Sequence, residues 1–287
     1  MAKPGSDKAE VQEAGGGHGR AGRDLGVAIP VGIGLLAVIA LSLAFRVEFF
    51  VALVAVAALA GLQELAQGLA SRSIHIPFAP LAVGTVGMVA SAWVGGPEAL
   101  LTALLLTVAT VFVWRVLDGG GREAAGDAAA GAFAAAYVPF LASFAVLIVR
   151  HEDHGVILVV TFLLMVVGND TGGYIAGVLF GRHPIAPSIS PKKSWEGVGG
   201  SIVLSVAVAY VMLVAVLGAP WWSALVLGLL TVLTATTGDF AESLIKRDLG
   251  LKDFGSILPG HGGVLDRIDS QLVAAPACFF IFSLVVA

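Results

Sequence analysis

Apolar runs of about twenty residues follow one another along almost the whole chain, at approximately 26–45, 48–67, 75–95, 98–117, 128–149, 155–180, 197–217, 222–239 and 269–287. Each is long enough to cross a hydrocarbon core about 30 Å thick as a helix. Within such a core only helices and closed barrels satisfy their own backbone groups. Runs of that length read as membrane-crossing helices, so the expected fold is all-α: a polytopic integral membrane protein with about nine transmembrane helices. Charge is correspondingly sparse. Only 13% of the 287 residues are Asp, Glu, Lys or Arg, against about 25% in soluble domains, and mean hydropathy is +0.94.

The placement of Lys and Arg sets the expected orientation, because cytoplasmic loops collect them. With the N-terminus in the cytoplasm and nine crossings, the C-terminus lies outside. Of the 16 Lys and Arg residues, only Arg46 and Arg150 then fall outside. A miscounted span would scramble that asymmetry. The turns "VGGPEA" and "LGAPWW" fall outside, and Trp221 and Trp222 suit an interfacial aromatic belt. The long polar connections, 181–196 and 240–268, both face the cytoplasm, so the chemistry is expected on that side of the cell's inner (plasma) membrane. Residues 1–25, rich in Gly, Ala and charge, read as a disordered tail. A signal peptide is not expected, since many further spans follow the first apolar run. Five helices then form an N-terminal membrane region, 26–150, and four helices with the loop 240–268 form a catalytic region, 151–287. The single cysteine, Cys278, lies within the last run and is expected only to pack.

Polar residues inside apolar runs are costly and therefore informative. Asn169 and Asp170 interrupt the sixth run, followed by Gly172 and Gly173, which let a helix break or another backbone approach closely. "TTGDFAESLIKR" puts Asp239, Glu242, Ser243 and Lys246 on one helical face. In "HGGVLDRID", Asp266 and Asp269 stand one turn apart. Neighbouring carboxylates repel unless cations hold them, and converging hard oxygens are what Mg²⁺ requires. Gly260, Gly262 and Gly263 leave backbone N–H groups open to a phosphate. Lys246, Arg247, Lys252, Arg267 and His261 supply further donors. Carboxylates for metal, with glycines and bases for phosphates, imply phosphoryl or nucleotidyl transfer.

Residues 243–269, "SLIKRDLGLKDFGSILPGHGGVLDRID", resemble without a gap the signature of the phosphatidate cytidylyltransferase (CDP-diacylglycerol synthase) family. The matching positions are Ser243, Lys246, Arg247, Lys252, Asp253, Gly255, Pro259, His261, Gly262, Gly263, Asp266, Arg267 and Asp269. "ISPKKSWEG", 189–197, resembles a second element of the family, with Ser194 where Thr is usual; it contains Ser190, Lys192, Lys193 and Glu196. "NDTGGYIAG" resembles a third, with Gly172 and Gly173 in place of alanines. The resemblance covers about 155–287.

It implies that CTP and phosphatidate give CDP-diacylglycerol and pyrophosphate, by in-line attack of the lipid phosphate on the α-phosphorus. It also implies Asp239, Asp266 and Asp269 as metal ligands, with Glu242 as a further candidate. The site would hold two cations, Mg²⁺ in one position and Mg²⁺ or a monovalent ion in the other. Lys192, Lys193, Lys246, Arg247 and Arg267 would hold phosphates, and His261 would orient one. Asn169, Asp170, Tyr174, Ser190, Glu196, Ser243, Lys252, Asp253, Gly262 and Gly263 would line the substrates. A homodimer is expected, and no nucleic-acid partner.

Two rival readings follow from the same residues. Asn169, Asp170 and Asp239 could form the cation pathway of a transporter with a discontinuous sixth helix. No inverted pair of interrupted helices accompanies them. A CDP-alcohol phosphotransferase would need a metal motif of which "DGGGREAAGD" is only a distant echo. "HEDH", 151–154, reads as a solvated outer loop. "GGG", 119–121, lacks the lysine and hydroxyl of a phosphate-binding loop.

Overall fold

The computed structural model describes residues 25–260 and 262–286, with side chains from residue 29 onward. The expected disordered tail lies almost wholly outside them, as does His261. The chain is helical almost throughout: α1 (Leu25–Phe45), α2 (Val47–Ala70), α3 (Phe78–Leu117), α4 (Ala124–Ala135), α5 (Leu141–Val149), α6 (Gly155–Phe180), α7 (Trp195–Ala209), α8 (Trp221–Leu249) and α9 (Leu265–Val285). A π-helical turn, Ala136–Phe140, joins α4 to α5 in one rod. Pro139 within it has no N–H for the regular ladder. A second such turn, Tyr210–Val216, prolongs α7.

Seven of these helical rods are long and apolar enough to cross a bilayer, which makes this an all-α integral membrane protein. Helix α3 has 40 residues, about twice what one crossing needs. It is broken at Gly96, whose φ of 76° and ψ of −160° no helix contains. Pro97 follows and cannot rejoin the hydrogen-bond ladder. Gly84 lies against the Thr107 side chain, nearly equidistant from the break on the other side. The two halves therefore pack side by side as a hairpin, matching the expected runs 75–95 and 98–117.

Two expectations are corrected. The sixth run is not interrupted, because α6 continues unbroken through Asn169, Asp170, Gly172 and Gly173. The glycines serve close approach instead: a Cβ on Gly172 would strike the Gly200 carbonyl of α7, and one on Gly173 would meet Ser201 Oγ at 2.8 Å. The polar loop 240–268 is also shorter than its composition suggested. Helix α8 runs on to Leu249, where Gly250 closes it with φ 74°, and α9 begins at Leu265. One small element was not foreseen in the connection 181–196. There β1 (Pro184–Ala186) and β2 (Ser190–Ser194) pair antiparallel, with Pro184 opposite Ser194 and Ala186 opposite Ser190. Pro184 opens its strand, where a missing N–H is tolerated.

The interior is filled by Leu62, Leu65, Met88, Met165, Leu227 and Leu265. Large apolar side chains such as Leu105, Val116, Val203 and Leu284 face outward, as a lipid solvent permits. Lipid tails are as apolar as leucine, so helices associate there through close packing of small residues. Gly172 against Gly200 and Gly228 against Val206 do this on either face of α7. Gly172→Leu is accordingly expected to destabilise the α6–α7 pair by about 1–3 kcal/mol. A drop in the detergent melting temperature would report it, and an unchanged value would contradict the packing.

Candidate active site

Polar side chains from α6, β2 and α8 converge on a cavity of about 310 Å³ at one end of the bundle. Helix α6 contributes Asn169, Asp170 and Tyr174; the hairpin contributes Ser190, Lys192 and Lys193; α8 contributes Asp239. Lys193 Nζ stands 2.5 Å from Asp239 Oδ2 and over the Phe240 ring at 4.5 Å from its centroid. Ser243 Oγ donates to Asp239 Oδ1 at 3.3 Å, one turn along α8. Asn169 Nδ2 donates to Asp170 Oδ1 at 3.0 Å, and its main-chain carbonyl accepts from Ser201 Oγ at 2.6 Å. The hairpin is fixed to α7 by Ser194, whose Oγ accepts from Gly197 N at 3.2 Å as an N-cap. The position where the family usually has Thr is therefore a helix cap.

A second cluster lies where the signature loop meets α8 and α9. Lys246 Nζ donates to Asp266 Oδ1 at 2.9 Å and pairs with Glu242. Asp266 Oδ2 accepts from Phe254 N at 3.0 Å and Gly263 N at 2.8 Å. Both of its oxygens are thus engaged, and the carboxylate ties loop, α8 and α9 together. Gly262 N donates to Leu258 O at 3.1 Å across a tight bridge. The amides of Gly262 and Gly263, expected to be open to a phosphate, are therefore spent inside the loop. Gly262 itself is required there: its φ is 89°, and a Cβ would sit 3.1 Å from Asp266 Oδ2 and 3.4 Å from Asp253 Oδ1.

Asp269 links the two clusters. The charges of Asp239, Asp170 and Lys246 all act on it, and its Oδ1 accepts from Ser270 N at 2.7 Å. Glu242 Oε1 and Asn169 Oδ1 are buried with no hydrogen-bond partner. Among the described residues no three His, Cys, Asp or Glu side chains form a ready-made metal cage. Mg²⁺ in nucleotide-transferring sites needs none, being held by one or two carboxylates with substrate phosphates and water. Asp239 and Asp269 are within electrostatic reach of each other and offer the hard carboxylate oxygens such an ion takes.

Other expected site residues are placed differently. Glu196 accepts from the main-chain N–H groups of Arg182 and His183 at 3.1 and 3.3 Å and meets His183 Nδ1 at 2.5 Å, which anchors the hairpin rather than lining the cavity. Arg247 Nε reaches Ile189 O at 3.5 Å. Lys252 is exposed on the loop. Arg267 faces a different, apolar cavity.

Two participants come from the N-terminal helices and escaped the sequence reading. Glu64 of α2 is 1% exposed. Its carboxylate accepts from Val264 N at 3.0 Å and Leu265 N at 2.8 Å, capping α9. Gly255 and Gly263 press against it with no room for a Cβ. Tyr137, in the π-turn before α5, has a buried and unpartnered hydroxyl and feels the charges of Asp269, Glu242 and Asp239. Glu64 had a readable signal, a carboxylate inside an apolar run. Tyr137 had none.

A sequence model of the cytidylyltransferase family matches residues 27–285. Proteins named phosphatidate cytidylyltransferase are similar over most of the chain. The one from Mycobacterium bovis is 38% identical over 277 residues, covering 92% of this chain and 90% of its own length. That from Mycobacterium leprae is 39% identical over 280 residues, covering 92% and 89%. The Haemophilus influenzae protein of the same name is 36% identical over 158 residues, 51% of this chain and 55% of its own.

Proposed function

Because the chain belongs to the cytidylyltransferase family, we propose that it joins CTP to phosphatidate, yielding CDP-diacylglycerol and pyrophosphate. The names of its relatives support that reaction. The observation that carries the reading to this chain's residues is the cavity in which Lys192 and Lys193 stand beside Asp170 and Asp239. Cations and carboxylates in one opening suit two polyanionic reactants and a metal.

In this reading an oxygen of the lipid phosphate attacks the α-phosphorus of CTP. The new P–O bond forms as the bond to the bridging α–β oxygen breaks, and its electron pair leaves on pyrophosphate. Both reactants are anionic, so repulsion and alignment make up most of the barrier. Lys192 and Lys193 hold nucleotide phosphates at the mouth, where Lys193 exchanges part of its contact with Asp239 for phosphate oxygens. Asp239 and Asp269, with Glu242, would hold Mg²⁺, which when bound neutralises charge on the attacking and leaving oxygens. Asp266 and Lys246 fix the loop between α8 and α9 and so set where Asp269 stands. Asn169 keeps Asp170 oriented through its side-chain amide.

The chain is proposed to cross the inner membrane nine times, α3 supplying two crossings, with the cavity open to the cytoplasm where CTP is found.

Purified protein in detergent should transfer radiolabel from [α-³²P]CTP into extractable lipid, only when phosphatidate and Mg²⁺ are both present. Asp239→Asn should abolish transfer while leaving the protein monodisperse. Absence of labelled lipid in the unaltered protein, with lipid and metal each varied, would sink the proposal.

A further inference from the structure

We infer that His183 is a positioning residue for the nucleotide: it clasps the root of the hairpin that carries Lys192 and Lys193, and so fixes where the phosphates of CTP are received. The inference rests on the reaction proposed above and adds a residue that lies outside the cavity wall. The hairpin presents Ile185, Ser190, Lys192 and Lys193 to the cavity. It connects two membrane-crossing helices and belongs to neither, so a soluble triphosphate meets it before a bilayer lipid does.

A two-stranded hairpin is marginal by itself, so its place depends on how its root is tied. Three ties converge on His183. Its main-chain carbonyl accepts from Trp195 N at 3.0 Å. Its main-chain N–H donates to Glu196 Oε2 at 3.3 Å, and its ring Nδ1 meets Glu196 Oε1 at 2.5 Å. A carboxylate only accepts, so Nδ1 carries the hydrogen, and the clasp forms with a neutral or a charged ring alike. Arg182 N also donates to Oε2, at 3.1 Å, so both oxygens of Glu196 are committed to the root. Further along, Lys193 Nζ holds Asp239 Oδ2, a contact that phosphate oxygens must replace in part. Once it is exchanged, the root ties are what keep both lysines at the cavity. The His183 side chain is 76% exposed, so truncating it removes the clasp without opening the core.

The test separates nucleotide affinity from turnover. His183→Ala and His183→Asn are assayed beside the unaltered protein, with CTP varied at saturating phosphatidate and Mg²⁺. Equilibrium dialysis with [α-³²P]CTP and Mg²⁺, without lipid, measures binding alone. An apparent affinity falls with the fraction of molecules whose binding element is in place, so His183→Ala should raise the KM for CTP and its Kd about fivefold or more. Turnover at saturating CTP and the KM for phosphatidate should stay near those of the unaltered protein. His183→Asn keeps an N–H donor close to the Nδ1 position and should recover most of the affinity. An unchanged CTP dependence in His183→Ala, a loss of kcat alone, a shift in the KM for phosphatidate instead, or no recovery in His183→Asn would overturn the inference. Should His183→Ala not stay monodisperse, Glu196→Gln takes its place. It keeps an acceptor for the main-chain donors, loses the charge that holds the ring, and should weaken CTP in the same way. If the unaltered protein binds CTP but transfers no label, the proposed reaction fails while the binding comparison still decides the clasp. If it binds no CTP, the inference falls.

Discussion

Lys246→Met should be the most damaging single change in the molecule. The ammonium holds Asp266 Oδ1 at 2.9 Å and pairs with Glu242, and the two carboxylate side chains are only 1% and 2% exposed. Methionine fills similar space but leaves two buried acids facing one another. Removing one partner of a buried ion pair costs about 3–5 kcal/mol, because the orphaned charge must be neutralised or the site opened. The loss falls where α8, the loop and α9 are joined, so turnover should vanish as well. Denaturant unfolding in detergent micelles measures the first effect and label transfer from CTP the second. Adding Glu242→Gln to Lys246→Met removes one of the stranded charges and should recover part of the stability without recovering activity. A midpoint equal to that of the unaltered protein would show that the triad does not hold these elements.

Loss of the Glu64 carboxylate should be nearly as costly, although the residue is some two hundred positions from the loop it holds. Helix α9 begins with N–H groups that no preceding turn can satisfy. Val264 and Leu265 donate theirs to Glu64, whose negative charge also suits the positive end of the helix. Glu64→Leu leaves both donors buried and unpaired, at about 1–3 kcal/mol each. Glu64→Gln keeps one acceptor and should lose roughly half as much. Hydrogen exchange at the Val264 and Leu265 amides distinguishes this from general loosening: protection should fall there first, ahead of the α6–α7 pair. If the loss of protection is uniform, the capping role is wrong. Gly255 and Gly263 press on the same carboxylate, so it also explains why these two loop positions have no room for a side chain.

The sequence alone determined the fold class, because solvent-scale physics acts on composition: side chains that cannot hydrogen-bond water, in runs of about twenty, point to membrane helices. The chemistry of the C-terminal half was also legible, since carboxylates, lysines and glycines at fixed spacings are local information. Tertiary structure decided which of those groups face each other. Asp266 and Asp269 stand one turn apart in the chain, yet Asp266 binds Lys246 and loop amides while Asp269 feels the charge of Asp239. Gly172 and Gly173 were equally compatible with a broken helix and with close packing, and only the approach of Gly200 and Ser201 on α7 selected the second. Glu64 is the clearest case. A carboxylate in an apolar run announces that it needs a partner, but the partner is set by how α2 lies against α9, and no spacing within one helix encodes a contact between two.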